Sequence, residues 1–151
     1  MTEFGKILFP TDFSESAENA SRYALSLAKK YGSKVYVIHV IEPFTYTTEF
    51  GLDFSAQLKE MEASARRLLD DIAASIKKTN LDVESALITG EPFVEIIKYA
   101  RKEQVDLIVM ATHGRSGIEH MLMGSVAEKV VRKSPCPVLT IKKSGQTFTM
   151  P

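Results

Sequence analysis

The sequence predicts an α/β protein built on one open, five-stranded parallel β-sheet with helices on both faces. Segments with the pattern of a strand alternate with segments that have helical apolar spacing, in the order β-α-β-α-β-α-β-α-β. Such alternation indicates parallel strands joined by right-handed crossovers. In addition, the segments Lys34–Ile41 and Leu107–Ala111 are almost continuously apolar. This pattern is expected of strands that are covered on both faces.

The first strand and the first helix are marked by the residues at their ends. Lys6–Phe9 is a short apolar strand that should end at Pro10, because proline has no N–H to donate to a sheet. Apolar residues spaced three and four apart then predict a helix over Ser14–Tyr31. Gly32 follows at the position where glycine commonly ends a helix.

The middle of the chain combines the clearest helix with a segment that has no regular period. Lys34–Ile41 is rich in β-branched residues and should be a central strand. Residues 42–54 contain several aromatic side chains but no periodicity, which predicts a long, flexible loop. Helical spacing then holds from Ser55 to Thr79. The apolar positions of that helix are Leu58, Met61, Ala65, Leu68, Leu69, Ile72 and Ile76.

The second half of the chain repeats the strand–helix alternation. Pro92 lies near the first turn of the third helix, where proline is tolerated, and Pro135 and Pro137 end the fourth helix. The predicted elements are a strand over Leu81–Ile88, a helix over Glu91–Glu103, a strand over Val105–Ala111, a helix over Ser125–Lys133 and a strand over Val138–Ile141.

Composition narrows the class of protein. The chain has 151 residues, of which 44% are hydrophobic and 25% charged, and we expect one domain over 1–151 with a loose tail over 143–151. Lys plus Arg and Asp plus Glu both number 19, which argues against nucleic acid or a membrane as partner. One cysteine excludes an internal disulfide, and no segment resembles a signal peptide or a membrane span. We therefore expect a cytoplasmic protein.

The fourth strand, the loop after it and the fourth helix form a candidate anion site. Gly114 and Gly124 allow a ligand to approach the backbone, and Gly124 precedes a helix whose N-terminal N–H groups can face a phosphate. Ser125 has two interpretations. With Glu128 it forms a capping box, which is purely structural, or its hydroxyl contacts the phosphate. Arg115 and His113 can add charge and hydrogen bonds to a bound anion. Alternatively, Arg115 is a solvated loop residue, and His113 fixes the loop through a backbone carbonyl.

Three other polar residues allow both structural and functional interpretations. Asp12 can bind a ribose hydroxyl or a cation, or cap the first helix, a role that Ser14 can also fill. His39 lies near the end of a buried strand, where a hydrogen-bonded core histidine is the simpler interpretation. Cys136 has no neighbouring base or second cysteine, which favours a structural role. No dinucleotide fingerprint, P-loop or nucleophile elbow is found.

Several of these segments together resemble the universal stress protein family. They are Pro10–Ser14 after the first strand, His39-Val40 in the second, Ala111-x2-Gly114-x9-Gly124-Ser125 after the fourth, and Ser134-Pro-Cys-Pro-Val138 near the end. The resemblance implies a Rossmann-like sheet in the strand order 3-2-1-4-5. It therefore places the first and fourth strands side by side, and parallel sheets bind ligands where the strand order reverses.

The resemblance also implies an ATP site, in which Mg²⁺ or Mn²⁺ can accompany the nucleotide. The family signature begins with glycine, where this chain has Ala111. Alanine costs little at this position if φ is negative, and roughly 1 kcal/mol or more if φ must be positive. By resemblance, the residues around adenine and ribose, along the loop and at the phosphates are Pro10, Thr11, Asp12, Val40, Met110, Ala111, His113, Gly114, Arg115, Gly124, Ser125, Val126 and Ala127.

The leading hypothesis is an ATP-binding, stress-response sensor or regulator with at most slow ATP hydrolysis. The resemblance implies a homodimer paired through Val138–Ile141, an apolar edge that would need cover. The alternative is a nucleotide-free interaction module in which Ala111 marks a lost site. A third hypothesis, an adenylating enzyme, is opposed by the absence of His-x-Gly-His and Ser-Gly-Gly-x-Asp motifs.

Overall fold

The chain forms a five-stranded parallel sheet in the order β3-β2-β1-β4-β5, as predicted. A computed structural model describes residues 3–43, 51, 53–114 and 123–143. The elements in chain order are β1 (Lys6–Pro10), α1 (Glu15–Tyr31), β2 (Lys34–Ile41), α2 (Ser55–Lys77), β3 (Val83–Thr89), α3 (Pro92–Glu103), β4 (Leu107–Ala111), α4 (Ser125–Lys133) and β5 (Val138–Ile141).

Two strands begin later in the chain than their apolar patterns predict. β4 was predicted from Val105, but the Val105 N–H donates to the Ala100 carbonyl and ends α3, with Gln104 in the left-handed conformation. Residues after α2 are also used in a turn, in which Asn80 has φ 61°. β3 begins at Val83 rather than Leu81, directly after Asp82, whose carbonyl accepts from the Val35 N–H of β2.

The helices cover the two faces of the sheet in pairs. α1 and α2 pack on one face, where α1 contributes only alanines to the buried set and so approaches the sheet closely. α3 and α4 pack on the other face. In α2 the buried stripe is Ala65, Leu69, Ala73 and Ile76. Met61 and Leu68, predicted within that stripe, are each 41% exposed; Leu68 is one residue, about 100° of helical rotation, from Leu69.

Pro10 lies where the carboxyl ends of the neighbouring strands β1 and β4 separate. The β1–β2 pairing continues to Pro10 and Ile38, whereas the β1–β4 pairing stops at Leu8 and Ile108. Alternate residues of a strand direct their backbone groups to opposite neighbours. The Thr11 N–H donates to Ile38 in β2, so Pro10 faces β4, and it has no N–H to donate there. β1 thus includes Pro10, one residue more than predicted, while β1 and β4 part beyond Leu8.

Some sequence predictions fall outside the residues that the structure describes. Arg115 is one of them, as are residues 144–151 of the predicted tail. Of the predicted loop, only residues 42–43, 51 and 53–54 are described. Within the described ranges, no helix is both long enough and apolar enough to cross a membrane.

Candidate functional site

A crevice opens where β1 and β4 part, at the carboxyl edge of the sheet. Its volume is about 320 Å³, which is at the lower end of the range for small-molecule sites. Every predicted site residue that the structure describes lines it: Pro10, Thr11, Asp12, Val40, Met110, Ala111, His113, Gly114, Gly124, Ser125, Val126 and Ala127. Six further residues that were not among the predicted site residues also line it: Ala17, Ile38, His39, Pro92, Ile96 and Thr112.

The turn between β1 and α1 is held by successive side-chain-to-backbone hydrogen bonds. Thr11 Oγ1 accepts from the Phe13 N–H at 3.0 Å, and Asp12 Oδ1 accepts from the Ser14 N–H at 3.0 Å. Ser14 Oγ then accepts from the Ala17 N–H at 3.2 Å and caps α1. Of the two predicted caps, Ser14 is therefore the correct one, and Asp12 stabilises the turn before it.

His39 connects β2 to this turn. Its Nδ1 lies 2.7 Å from the Thr11 carbonyl oxygen. Because a carbonyl can only accept, Nδ1 must carry the proton. The imidazole also packs against the Phe13 ring, with centroids 4.4 Å apart and an interplanar angle of 37°. The residue is hydrogen-bonded, as predicted, but it is only half-buried and lines the crevice instead of belonging to the core.

The start of α4 differs from the predicted capping box. Gly124 is the N-cap and Ser125 is the first helical residue, so Ser125 is one position too late to cap. The structure shows no side-chain hydrogen bond at this cap among the described residues. The Gly124 N–H instead donates to the Thr112 carbonyl at 2.6 Å, and the Gly124 carbonyl accepts the Glu128 N–H at 3.0 Å. The structural interpretation of Ser125 as a cap is therefore wrong.

The two serines at the helix starts should respond differently to truncation. Ser14→Ala removes a cap and should lower the free energy of unfolding by about 1 kcal/mol. Ser125→Ala removes an exposed hydroxyl that does not cap and should change it by less than about 0.5 kcal/mol. Urea denaturation of both variants measures the difference. Equal losses would show that Ser125 does cap α4 in solution.

Gly114 and Gly124 lie where other groups approach the backbone closely, and neither has a positive φ. The φ of Gly124 is −68°, and Gly114 is not among the glycines with positive φ. A Cβ built on Gly114 would lie 2.7 Å from Asp12 Oδ2. A Cβ built on Gly124 would lie 3.0 Å from the Thr112 carbonyl oxygen. Both glycines therefore let parts of the crevice wall approach each other closely.

Ala111 lies in extended backbone at the end of β4. It pairs in register with Ile141 of β5, and it is not among the non-glycine residues with positive φ. Of the two cases considered for this position, the case without strain applies. Alanine is compatible with the backbone conformation here, and its methyl group is part of the crevice wall.

Thr112 links the crevice to the edge strand β5. Its N–H and its Oγ1 lie 3.0 and 3.4 Å from the Ile141 carbonyl oxygen, and its own carbonyl accepts from Gly124. Thr112 Oγ1 is also hydrogen-bonded to His113 Nδ1 at 2.9 Å. This hydrogen bond attaches the His113 imidazole to the hydroxyl of the preceding residue. The sequence pattern does not predict these hydrogen bonds of Thr112, because Thr112 lies just beyond Ala111, the last residue of β4.

Cys136 lies just before β5 and packs in the side-chain cluster between the sheet and helices α3 and α4. Burial raises the pKa of its thiol. A raised pKa disfavours the thiolate, which is the nucleophilic form. These properties agree with the structural role predicted for it. Within the described part of the chain, no group of three or more His, Cys, Asp or Glu residues is arranged to hold a metal ion.

The sequence model that describes the universal stress protein family matches residues 3–142. The chain belongs to the universal stress protein family. It is 34% identical to universal stress protein MJ0531 of Methanocaldococcus jannaschii over 93% of this chain and 83% of that protein. It is 31% identical to universal stress protein MJ0577 of the same organism, over 94% and 97% of the two chains.

Solved structures of universal stress proteins have the same fold. A structure of MJ0577 superposes with a TM-score of 0.86 and 33% identity, over 95% of this chain and 99% of that chain. The universal stress protein from Archaeoglobus fulgidus in complex with dAMP superposes with a TM-score of 0.65 and 26% identity, over 94% and 100%. The crevice at the carboxyl edge is therefore part of a universal stress protein fold.

Proposed function

We propose that this universal stress protein binds ATP in the crevice and acts as a cytoplasmic stress-response sensor or regulator, with at most slow ATP hydrolysis. The observation that carries the proposal is the start of α4. There Ser125, Val126 and Ala127 line the crevice at a helix N-terminus without a side-chain cap among the described residues. N-terminal N–H groups and the helix dipole favour an anion at such a position.

The remainder of the crevice suits a nucleoside. Pro10, Ile38, Val40 and Met110 supply an apolar wall from three adjacent strands, against which a purine can pack. Asp12 stands beside this wall, and a carboxylate can accept hydrogen bonds from ribose hydroxyls. An apolar wall, one carboxylate and an anion-binding helix end match the three chemical parts of a nucleotide.

The phosphates would lie between the two ends of the loop that follows β4. Gly124 through Ala127 would face them from α4, and His113 and Gly114 would face them from the start of the loop. Arg115, which lies outside the described residues, stays a predicted site residue by resemblance to the family. Mg²⁺ or Mn²⁺ would enter with the nucleotide, since divalent ions bind commonly to substrate phosphates with few protein carboxylates. The A. fulgidus relative in complex with dAMP supports the choice of an adenine nucleotide.

We further propose a homodimer formed through β5. β5 is an edge strand of the sheet, and its Leu139 is 37% exposed. Val131 of α4 is 45% exposed. Unpaired apolar edges tend to be covered by a second chain. Light scattering would test this directly, because a dimer has twice the 16.8 kDa mass of the chain and a monomer contradicts the proposal.

The direct test of ATP binding uses freshly purified protein. The protein is denatured, the released small molecules are identified by mass spectrometry, and ATP is then titrated into protein freed of nucleotide. Released adenine nucleotide, or saturable binding at or below millimolar ATP, supports the proposal. The absence of both would favour the nucleotide-free interaction module.

Ala111→Gly separates that alternative from the proposal. Because Ala111 has unstrained, extended backbone, we expect the glycine variant to bind ATP with an affinity within about threefold of the parent. Calorimetric titration of both proteins measures the ratio. Binding that occurs only in the glycine variant would show that the alanine methyl group blocks the site and that the parent has lost it.

A further inference from the structure

We infer that His39 is a positioning residue for the nucleotide site, acting through its hydrogen bond to the Thr11 carbonyl. The inference rests on the proposed function, because it concerns the shape of the wall that ATP would contact. His39 and Thr11 come from different strands, and both line the crevice. From the sequence, a hydrogen-bonded core histidine was the preferred interpretation at this position.

Residues of β2 form hydrogen bonds with both the N–H and the carbonyl of Thr11. The Thr11 N–H donates to the Ile38 carbonyl at 2.9 Å, and the next side chain, His39, donates from Nδ1 to the Thr11 carbonyl at 2.7 Å. The backbone pairing of β1 with β2 ends at Pro10 and Ile38. The imidazole therefore extends the attachment of β1 to β2 past the end of the pairing, up to the residue that precedes Asp12.

Phe13 shows why this attachment matters. Its φ of 63° is in the left-handed region, which bulky L-residues rarely adopt. Such a conformation persists when the surrounding structure determines it. Here the Phe13 N–H donates to Thr11 Oγ1, and the ring packs on the His39 imidazole. His39 thus contacts the turn at two points, on either side of Asp12.

Asp12 is the residue whose position the attachment would control. Its Oδ2 lies so close to Gly114 that a Cβ there would be 2.7 Å away. A relaxation of the turn that moved Asp12 by a few tenths of an ångström would change the width of the crevice between β1 and β4. Removing the His39 donor should therefore weaken ATP binding even though the imidazole itself only positions the wall.

Two substitutions of His39 separate the hydrogen bond from the ring. Asparagine can place an amide N–H donor near the position of Nδ1, whereas phenylalanine keeps an aromatic ring against Phe13 but cannot donate. We expect His39→Asn to bind ATP within about threefold of the wild type. We expect His39→Phe to bind about tenfold more weakly, since the Thr11 carbonyl loses its partner. Calorimetric titration at a temperature where unfolding experiments show all proteins folded gives the three dissociation constants.

Each other result contradicts a specific part of the inference. Wild-type affinity in His39→Phe would show that the donor does not position the site. Equal weakening in both variants would show that the hydrogen-bond donor alone does not position the site and that the ring is needed as well. A wild type that binds no ATP would overturn the proposed function and this inference together. Independently of the variants, ¹⁵N chemical shifts of the wild-type imidazole should show the proton on Nδ1, and a proton on Nε2 alone would overturn the inference.

Discussion

Replacing Ser125 by glutamate should abolish measurable ATP binding without destabilising the fold. Ser125 is the exposed first residue of α4 and lines the crevice where the phosphates are proposed to lie. Two unit charges of the same sign 4 Å apart repel by ~4 kcal/mol at an effective dielectric constant of 20. The affinity should therefore fall at least about 100-fold. An acidic residue in the first turn of a helix is itself favourable by about 0.5 kcal/mol, so stability should be kept or raised slightly.

A matched control exists at the start of α2. That helix has no acidic residue in its first turn, and its second residue, Ala56, is exposed and does not line the crevice. Ala56→Glu should raise the free energy of unfolding by a similar small amount and leave ATP affinity unchanged. ATP titration and urea denaturation of the two variants provide both numbers. If Ser125→Glu bound ATP as tightly as Ala56→Glu, the phosphates would not lie at the start of α4.

The second large effect is expected from Gly124→Ala. The added methyl group would lie 3.0 Å from the Thr112 carbonyl oxygen, and the Gly124 N–H donates to that same oxygen at 2.6 Å. Two backbone segments must move apart to admit the methyl group, and overpacking of this kind costs about 1–3 kcal/mol. The movement also displaces the N-terminus of α4, so ATP affinity should fall about tenfold or more. Urea denaturation and calorimetric titration measure the two losses.

Gly5→Ala is the control for the glycine substitution. A Cβ at Gly5 would lie 3.5 Å from Asp106 Oδ2, which is an ordinary contact. That variant should remain within about 0.5 kcal/mol of the parent in stability. Its ATP affinity should equal that of the parent, because Gly5 does not line the crevice. If Gly124→Ala behaved like Gly5→Ala, the close approach of Gly124 to Thr112 would have no energetic importance.

Apolar periodicity predicted the type and order of the elements, because burial on both faces of a parallel sheet leaves a strong pattern. α4 and β5 were predicted with the bounds that the structure shows, since Gly124 and the two prolines mark their ends. Other boundaries of helices and strands were predicted incorrectly where a backbone hydrogen bond determines the end of the element. Val105, which closes α3 and does not extend β4, is the clearest case.

Some residues of the crevice could be predicted from their residue type, and others could not. Gly114, Gly124 and Asp12 could be predicted because glycine lets a ligand approach the backbone, and because aspartate after a strand can bind a hydroxyl or cap the next helix. Strand adjacency had to come from the family resemblance, since no local pattern encodes which strands are neighbours. Pro92 and Ile96 of α3 were missed because they reach the crevice from another part of the chain. Their place follows only from the rule that crossover helices begin at the carboxyl edge of a parallel sheet.

The missing N–H of Pro10 has a consequence for how the sheet responds to a ligand. β3, β2 and β1 are paired by hydrogen bonds up to the end of β1. β4 and β5 form a second paired set, which is hydrogen-bonded to β1 only as far as Leu8 and Ile108. Beyond Leu8 and Ile108, the crevice lies between β1 and β4. A molecule in contact with Val40 of β2 and Ala127 of α4 would bridge its two sides, so the binding free energy would add to the stability of the folded protein.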